Sequence, residues 1–461
     1  MKRVLIVGAG AAGQMIVNEM LHNHKAKDSY EVVGFLDDNE NAETNSLPLL
    51  GKICQLREKI PALNIDLLLI AIPTANSQLI ERILSDLDGI NIEVKIIPGL
   101  IEIIDGNASY NQAREIEPSD LLGREEVTFD IEKITPYYKN KTVFITGAGG
   151  SIGSEILRQL LSLPIKKLVA LGHGENSIHS VLQAIGKDPR FEYVIGDVKD
   201  KAKLQNSIKK HKPDIIFHAA AHKHVPLMET HPDEAIKNNI LGTYQVAKVA
   251  REFGVAKFVL ISTDKAVNPT SVMGASKRIA EQLILSMNKT STTEFVLTRF
   301  GNVLGSRGSV VTVFNEQIKH GGPLTVTDPK MTRFFMSIRE AARLVIKATT
   351  LTTGNIFILD MGRPVKIVDL AHRMIQLHGY QKGEIPVVFS GIRAGEKLYE
   401  EVLTNSEQLS TTDYEKLLVS QERTTFYPDH EIENVVAEFL EVGESYDVDK
   451  IRDYLISKVC K

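Results

Sequence analysis

The residues best suited to chemistry follow one apolar stretch, Phe258-Val-Leu-Ile-Ser262, which is typical of a buried strand. Thr263, Asp264 and Lys265 come next, so that a hydroxyl, a carboxylic acid and an amine stand in a row. Open α/β sheets place their chemistry at the carboxyl ends of strands, which makes these three residues candidates for catalysis. The alternative is a solvated turn followed by a capped helix.

A helix is predicted to open near Met273, after a turn at Asn268-Pro269. Lys277 lies on the same face of that helix as Met273, because the two are one helical turn apart. The helix would bring a second amine towards the end of the preceding strand.

A cofactor site is predicted upstream, where Lys141-Thr-Val-Phe-Ile-Thr146 reads as a buried strand and Ser154–Leu163 as a helix. Gly147, Gly150 and Gly153 lie between them at GxxGxxG spacing. Backbone N–H groups and the helix dipole at such a junction bind the pyrophosphate of a dinucleotide. We therefore expect NAD or NADP as cofactor.

The choice between NAD and NADP stays open. An NAD site usually carries an acid directly after the strand Lys167–Leu171, but that position is Gly172. His173 or Arg158 could face a 2′-phosphate instead, or Glu175 could reach the ribose.

Two further strand ends are expected to complete the cofactor site. Asp197 could bond the adenine edge or merely cap the helix Lys201–Lys210, and the small residues that end Asp214–Ala221 would let the ribose approach the backbone. The residues predicted to contact the dinucleotide are Gly147, Gly150, Ser151, Ile152, Gly153, His173, Glu175, Asp197, Val198, Ala219, Ala220, Ala221 and Lys277.

The basic triplet His222-Lys223-His224 could meet a phosphorylated substrate or could be surface charge. No metal site is predicted, because the triplet has no carboxylate partner. Asn239, in the next helix, could brace the site by bonding backbone groups, and capping is the alternative.

The first part of the chain repeats the nucleotide-binding pattern. Gly8, Gly10 and Gly13 follow the strand Lys2–Val7, and Asp37-Asp38 ends the strand Glu31–Leu36, where an acid could hold a ribose. This part is predicted to be regulatory or to contact another subunit, and a fold kept for packing is the alternative.

Length and composition set the broad class. The chain has 461 residues, a net charge of −4, 43% hydrophobic residues and two cysteines far apart in sequence. These values favour a cytoplasmic globular protein and give no reason to expect nucleic acid as a partner. No apolar run is long enough to span a bilayer.

The predicted organisation is α/β, with two Rossmann-like doubly wound parallel-sheet domains, the second carrying a smaller C-terminal substrate-binding part. The predicted segments are a nucleotide-binding domain at 1–110, a linker at 111–140, a catalytic domain at 141–403 and a helical tail at 404–461. The helical patch Glu431–Leu440 in the tail suggests a cap or a subunit contact, and we expect a homo-oligomer.

Six motifs together resemble the extended short-chain dehydrogenases/reductases, and more narrowly the UDP-N-acetylglucosamine 4,6-dehydratases of bacterial polysaccharide biosynthesis. They are Thr146-Gly-Ala-Gly-Gly-Ser-Ile-Gly153, His218-Ala-Ala-Ala221, Ser262-Thr-Asp-Lys265, Met273-Gly-Ala-Ser-Lys277, Arg299-Phe-Gly-Asn-Val303 and Arg393-Ala-Gly-Glu-Lys397. Larger members of this group commonly begin with transmembrane helices, so the chain looks like a soluble form.

One position departs from the wider superfamily, whose motif is YxxxK. Met273 stands at the tyrosine position, and a thioether cannot act as an acid or a base. Methionine is a known variant in the resembled group, so the resemblance moves the proton chemistry to Thr263, Asp264 and Lys265.

The resemblance implies that water is removed across C5 and C6 of the hexose while C4 becomes a ketone, with a tightly bound NAD(P) regenerated in each turnover. It assigns Lys265 as the base at C5, Asp264 as the acid at C6, Thr263 as the partner of the C4 oxygen and Lys277 as the partner of the nicotinamide ribose. The residues expected to hold UDP-N-acetylglucosamine are Lys223, His224, Asn239, Arg299, Asn302, Arg307, Arg333, Arg393, Glu396 and Lys397. The alternatives are a UDP-sugar epimerase, against which Met273 argues, and a non-catalytic dinucleotide sensor.

Overall fold

The computed structural model of the protein describes residues 1–22, 29–44, 46–87, 89–90, 92–97, 113–116, 120, 131–381, 383–403, 408–421 and 426–459. The chain forms two compact units, each assembled from separate segments. The first unit comprises Met1–Thr128, Val310–Pro329 and Ile367–Phe389, and the second comprises Phe129–Ser309, Lys330–Lys366 and Ser390–Lys461.

The first unit contains a six-stranded sheet. Its strands are β1 Lys2–Val7, β2 Tyr30–Leu36, β3 Leu49–Gly51, β4 Leu67–Ile70, β5 Glu93–Ile96 and β6 Arg114–Glu115. The order across the sheet is β3-β2-β1-β4-β5-β6, and only β6 runs antiparallel to its neighbour. Central strands β1 and β4 are buried because helices cover both faces of such a sheet.

The helices of the first unit are Ala11–His22, Leu56–Ala62, Ser77–Asp86, Val310–Lys319 and Ile367–Leu377. A short parallel pair, Leu324–Val326 with Val387–Phe389, completes the unit. Asn76 caps the helix Ser77–Asp86 by accepting from the Leu79 N–H at 2.9 Å.

The second unit is built around a nine-stranded sheet. Six of its strands are β7 Thr142–Thr146, β8 Lys167–Gly172, β9 Phe191–Ile195, β10 Ile215–His218, β11 Lys257–Ile261 and β12 Glu294–Arg299. They lie in the order β9-β8-β7-β10-β11-β12, which is the doubly wound order, and all pair in parallel. The strand order reverses at β7, so a crevice for a ligand is expected where β7 and β10 end.

Helices flank this sheet on both faces. They are Ile131–Tyr138, Ser151–Leu160, Glu175–Ile185, Lys201–His211, Val225–Thr230, Pro232–Glu234, the π-helix Ala235–Leu241, Gly242–Glu252, Val272–Met287, Ile338–Thr349, Ile432–Gly443 and Val448–Val459. Two short ribbons, Asn302–Val303 with Phe335–Met336 and Thr332–Arg333 with Val365–Lys366, lie beyond the sheet.

The helix after the second glycine motif begins three residues earlier than predicted. Gly150 is its N-cap in an extended conformation and Ser151 is its first residue. Gly153 therefore lies inside the first turn, where an added Cβ would be 2.4 Å from the Gly147 carbonyl oxygen. The motif is part of the helix start because only glycine permits this close packing.

The C-terminal part differs from the predicted helical tail. Two strands extend the large sheet here: Leu417–Gln421 pairs antiparallel with Ile356–Leu359, and Gln408–Thr411 pairs antiparallel with Leu417–Gln421. The two following helices bury Phe439 and Leu455 in the core of the second unit. Strand pairing and burial make this segment part of the fold rather than an appended cap.

The predicted linear boundaries at 110, 140 and 403 stay a prediction, and half of the predicted linker 111–140 lies outside the described residues. The described end of that linker, Ile131–Tyr138, is a helix whose Tyr138 hydroxyl donates to the Ile346 carbonyl at 2.9 Å. Within the described ranges, no helix is both long and apolar enough to cross a bilayer.

Candidate active site

The end of β11 places the three central candidate residues. Thr263 caps a single 3-10 turn, Asp264–Ala266, and its hydroxyl accepts from the Lys265 N–H at 3.4 Å. The Asp264 N–H donates to the Phe300 carbonyl at 3.1 Å, which ties the turn to the end of β12. Two neighbouring parallel strands thus fix the backbone of the candidate residues.

The side chains of these residues form one polar cluster. The Lys265 ammonium lies 3.0 Å from Asp264 Oδ1 and 3.0 Å from Asn302 Oδ1. The Thr263 hydroxyl donates to the same Asp264 oxygen at 2.9 Å. The other carboxylate oxygen, Oδ2, is buried and has no hydrogen-bond partner among the described residues. The Asp264 carboxylate therefore contacts both the hydroxyl of Thr263 and the amine of Lys265.

A second carboxylate, Glu400, joins this cluster and was not predicted. Its Oε1 lies 3.7 Å from Lys265 Nζ and 3.7 Å from Arg333 Nε, and its side chain is 4% exposed. Burial raises the pKa of Glu400, as does the nearby Asp264, while Lys265 and Arg333 oppose the shift. No motif marks Glu400 in the sequence, because it reaches the site only through the path of the segment after Arg393.

The helix Val272–Met287 supplies the second amine. Ser271 caps it by accepting from the Gly274 N–H at 3.0 Å. The Lys277 ammonium donates to the Ile261 carbonyl at 2.8 Å, and burial lowers the pKa of Lys277 to about 8. Met273, one turn earlier, packs in the hydrophobic core with 3% exposure. The position that is tyrosine in the wider superfamily is thus apolar here.

Arg299 does not face a ligand, which corrects the prediction that it holds the substrate. It is 1% exposed, and its Nε and Nη2 donate to Glu281 at 2.8 and 2.7 Å. Ser262 donates to the same carboxylate at 2.6 Å. Burial opposes the charge on Glu281, but Arg299 and Arg278 hold its pKa below the ordinary value. This buried network anchors the base of the active-site segment, and an isolated sequence motif cannot reveal such a pairing.

A pocket lies at the switch point of the large sheet. Its lining is Gly147, Gly149, Gly150, Leu171, Gly172, His173, Gly174, Ser177, Gly196, Val198, Ala219, Ala220, Ala221, His222, Asn238 and Arg307. A Cβ on Gly147, where φ is +68°, would lie 2.5 Å from the Ala220 nitrogen. The glycine loop can therefore approach the neighbouring strand end only without side chains, and the resulting cradle fits a dinucleotide.

Most predicted cofactor residues lie at this pocket, but several do not line it. Ser151, Ile152 and Gly153 form the helix start beneath it, and Glu175 is an exposed residue at the start of another helix. Arg158 pairs with Glu155 instead.

Asp197 is not the cap of the helix Lys201–His211. Its Oδ1 accepts from the Lys199 N–H at 2.9 Å, and Asp200 provides the cap.

The predicted substrate residues fall into different places. Arg307 lines the dinucleotide pocket, and its N–H donates to Ser151 Oγ at 3.2 Å. The Lys223 ammonium donates to Ser306 Oγ at 3.4 Å, and burial, followed by the charge of Lys265, lowers the pKa of Lys223. Burial also lowers the pKa of His224. Its ring lies close to Gly308, where an added Cβ would be 2.6 Å from His224 Cε1.

The Arg333 guanidinium bonds to backbone carbonyls, contrary to the prediction that it holds the substrate. It donates to the carbonyls of Thr332, Leu398 and Lys397 at 2.7, 3.2 and 2.8 Å. Lys397 donates to the Val267 carbonyl at 3.1 Å and to Glu401 at 3.0 Å. Both cations hold the segment that carries Glu400.

Arg393, predicted to hold the substrate, is exposed, and no ion pair joins it to Glu396 among the described contacts. Glu396 Oε2 is buried without a hydrogen-bond partner in the described part of the chain. Of the two residues, Glu396 is therefore the one with an unused buried acceptor.

Asn239 braces the chain by bonding backbone groups, which is one of the roles that the sequence predicts for it. It is fully buried in the π-helix, accepts from the His222 N–H at 2.8 Å, and donates to the His222 carbonyl and to Ser276 Oγ at 3.0 Å each. These bonds leave no room for the predicted substrate contact. The neighbouring Asn238 lines the pocket instead.

The glycine loop of the first unit is closed by its own acid. Asp37 accepts from the Ala9 N–H at 2.7 Å and from the Asn39 N–H at 2.8 Å. Asp38 accepts from Ile53 N and pairs with Arg82. The two acids predicted for a ribose thus hold the backbone of the unit.

The sequence profile of the polysaccharide biosynthesis protein family matches residues 143–422, and that of a CoA-binding domain matches residues 1–98. A probable polysaccharide biosynthesis protein of Bacillus subtilis, EpsC, is 48% identical over 415 residues, covering 88% of this chain and 69% of that protein. The capsular polysaccharide biosynthesis protein CapD of Staphylococcus aureus is 47% identical over 90% of this chain and 71% of its own length.

Among solved structures, Pen from Bacillus thuringiensis is 34% identical, with a TM-score of 0.57 over 64% of this chain and 90% of that one. The predicted fold class and the resemblance to polysaccharide-biosynthesis enzymes are confirmed by these matches together with the observed strand order.

Proposed function

The chain belongs to the polysaccharide biosynthesis protein family, and from that premise we propose that it is a nucleotide-sugar 4,6-dehydratase acting on UDP-N-acetylglucosamine. The observation that carries the proposal is the contact of Thr263, Asp264 and Lys265 at the end of β11. An elimination of water needs a base and an acid on neighbouring carbons, and this cluster offers both within one hydrogen-bond network.

Lys265, in its amine form, removes the C5 proton and later returns a proton to C5. The C4 hydroxyl proton leaves through Thr263, whose hydroxyl contacts Asp264 Oδ1 at 2.9 Å. Asp264 then carries that proton and gives it to the departing C6 hydroxyl. The protons balance, because the one lost at O4 leaves with the C6 oxygen as water.

NAD or NADP, bound in the pocket, would supply the hydride chemistry: a hydride would be taken from C4 and returned at C6. The glycine loop and the start of helix Ser151–Leu160 would hold its pyrophosphate, and Lys277 would hold the nicotinamide ribose. Lys223, beside Lys265, is the cation best placed for a substrate phosphate.

Met273 supports this assignment over a 4-epimerase. A thioether offers no proton acceptor for the C4 hydroxyl, whereas the Thr263–Asp264 contact offers one that also prepares the acid for C6. A 4-epimerase has no use for a base at C5 and an acid at C6, because it inverts only C4.

The test is the mass of the product from UDP-N-acetylglucosamine, in water and in heavy water. Dehydration gives a product lighter by one water, with one deuterium at C5 from heavy water. An isomer of unchanged mass without deuterium would support an epimerase, and recovered substrate a dinucleotide sensor. Mass analysis of the dinucleotide released on denaturation identifies the cofactor.

Lys265→Ala is expected to lose about two orders of magnitude or more in turnover, because general-base catalysis contributes at least that much. The matched control is Lys187→Ala, whose side chain is exposed and which is expected to keep full activity. Full turnover by Lys265→Ala would remove the assigned base.

A further inference from the structure

The proposed function leaves one step open, because a lysine must lose its proton before it can act as a base. In the structure Lys265 Nζ faces three oxygens, those of Asp264 and Asn302 at 3.0 Å and Glu400 at 3.7 Å. Such surroundings stabilise an ammonium ion. Some neighbouring group must therefore take the ammonium proton at the start of the reaction.

Asp264 already has another role in the proposed mechanism. It receives the C4 hydroxyl proton through Thr263 and passes it to the C6 hydroxyl, so it cannot also store the Lys265 proton. Asn302 offers only an amide oxygen, which does not accept a proton at neutral pH. Glu400 is the remaining acceptor at Lys265 among the described residues.

We propose that Glu400 accepts a proton from Lys265 and so delivers the amine form of Lys265 that attacks C5–H. This inference rests on the proposed function. The Lys265 N–H bond breaks and an O–H bond forms at Glu400 Oε1; the freed lone pair of Lys265 then takes the C5 proton, and Glu400 returns its proton to Lys265 after Lys265 has protonated C5. Glu400 acts through Lys265 and is a positioning residue, not a catalytic one.

The burial of the cluster favours this transfer. The side chain of Glu400 is 4% exposed and that of Lys265 is 19% exposed, so bulk water reaches neither side chain freely. Moving the proton turns an ammonium and a carboxylate into two neutral groups, which a low dielectric favours over separated charges. The total charge of the cluster stays constant, which release of the proton to solvent would not achieve.

The groups that face Glu400 act in both directions. Lys265, Arg333 and Lys397 stabilise its carboxylate, whereas burial, the largest influence, and Asp264 raise its pKa. The distance of 3.7 Å to Lys265 must shorten by about 0.5–1 Å for transfer, which the flexible lysine side chain permits. Arg333 Nε lies 3.7 Å from the same oxygen, Glu400 Oε1, and this second cation helps to hold the carboxylate beside Lys265.

The experiment compares Glu400→Gln and Glu400→Asp with the unchanged protein, using UDP-N-acetylglucosamine. Glutamine keeps the shape but accepts no proton, so kcat at pH 7 is expected to fall about tenfold or more and to recover about tenfold per pH unit towards pH 9. The unchanged protein and Glu400→Asp are expected to show a flat profile over this range. Glu415→Gln, an exposed control, is expected to match the unchanged protein.

A loss of kcat in Glu400→Gln that is the same fraction at every pH would show a structural role and overturn the proposal. Full activity of Glu400→Gln would overturn it as well.

A readout without substrate separates this inference from the proposed function. Carbon-13 NMR of the Glu400 carboxyl, assigned with Glu400→Gln, should show Glu400 titrating at higher pH in Lys265→Met, because a facing cation is lost. An unchanged titration would overturn the proton link even if the protein dehydrates its substrate.

Discussion

At the residue scale, Lys277 is a cation held in an apolar helix against the sheet. It is 4% exposed, and its ammonium has the Ile261 carbonyl at 2.8 Å as acceptor. Burial lowers its pKa from 10.5 to about 8, with Glu281 as the opposing influence. The pKa of Lys277 therefore lies close to neutral pH. At lower pH the folded protein bears the free-energy cost of a buried positive charge.

This predicts a pH-dependent effect of Lys277→Met on stability. Below pH 8 both folded and unfolded Lys277 are protonated, so the folded protein carries the full cost of the buried charge. Between pH 8 and 10.5 the folded state releases the proton while the unfolded state keeps it, so this cost shrinks as pH rises. The stability of the unchanged protein relative to Lys277→Met should therefore rise through that window.

Denaturant unfolding at several pH values measures this difference. Lys187→Met, at an exposed position, is the control and is expected to show no such trend. A constant difference between the unchanged protein and Lys277→Met from neutral to alkaline pH would contradict the inferred cost of burial.

At the element scale, the glycine motif works because a loop, a helix start and a strand end meet at backbone distance. An added Cβ at Gly153 would lie 2.4 Å from the Gly147 carbonyl oxygen and 3.0 Å from Ala148 Cα. Both neighbours are backbone atoms and cannot rotate away. The loop would have to move away from the helix start.

Gly153→Ala is therefore expected to lose most of its bound dinucleotide while keeping its fold, because the displaced loop no longer presents its N–H groups to the pyrophosphate. The measurement is the amount of dinucleotide released per mole of purified protein. Gly443→Ala is the matched control, since its Cβ would be 3.4 Å from Ile236 Cδ1 and fits. Undiminished dinucleotide in Gly153→Ala would refute this account of the motif.

At the scale of the whole molecule, the C-terminal helices of the second unit support the helix Val272–Met287, which carries the candidate residue Lys277. Phe439 is 1% exposed and meets Tyr454 edge to face at 5.6 Å. Glu229 accepts from the Val272 N–H at 2.8 Å, and Arg452 of the last helix lies 3.4 Å from its other oxygen. The last helix is thereby linked to the start of the helix Val272–Met287.

Phe439→Ala is expected to destabilise the second unit by about 3–5 kcal/mol, the usual cost of truncating a buried phenylalanine. Its effect on turnover below the unfolding transition should be small, because Phe439 lies in the core and its described ring contact is with Tyr454, which is not a candidate site residue. Chemical denaturation and initial rates measure the two effects. Val448→Ala, at a 40% exposed position, is the control, and equal stability of the two variants would contradict the assignment of this segment to the core.

The sequence by itself determined those features of this protein that depend on residues close together in the chain. Strand β11 and the Thr263-Asp264-Lys265 row, the glycine spacing after β7 and the helix with Met273 and Lys277 were all predictable. In each case, side-chain periodicity and backbone freedom act over a few residues, and the carboxyl end of a parallel strand sets where the polar residues lie.

Only the tertiary structure decided which charges are free and which are paired. Arg299 and Arg333 looked like ligand cations, but Glu281 and the carbonyls of Thr332, Leu398 and Lys397 hold them. Glu400 reaches Lys265 across a long stretch of chain. The physical reason is that burying a charge costs free energy unless a partner compensates it. The fold brings that partner near, and it can be far away in sequence.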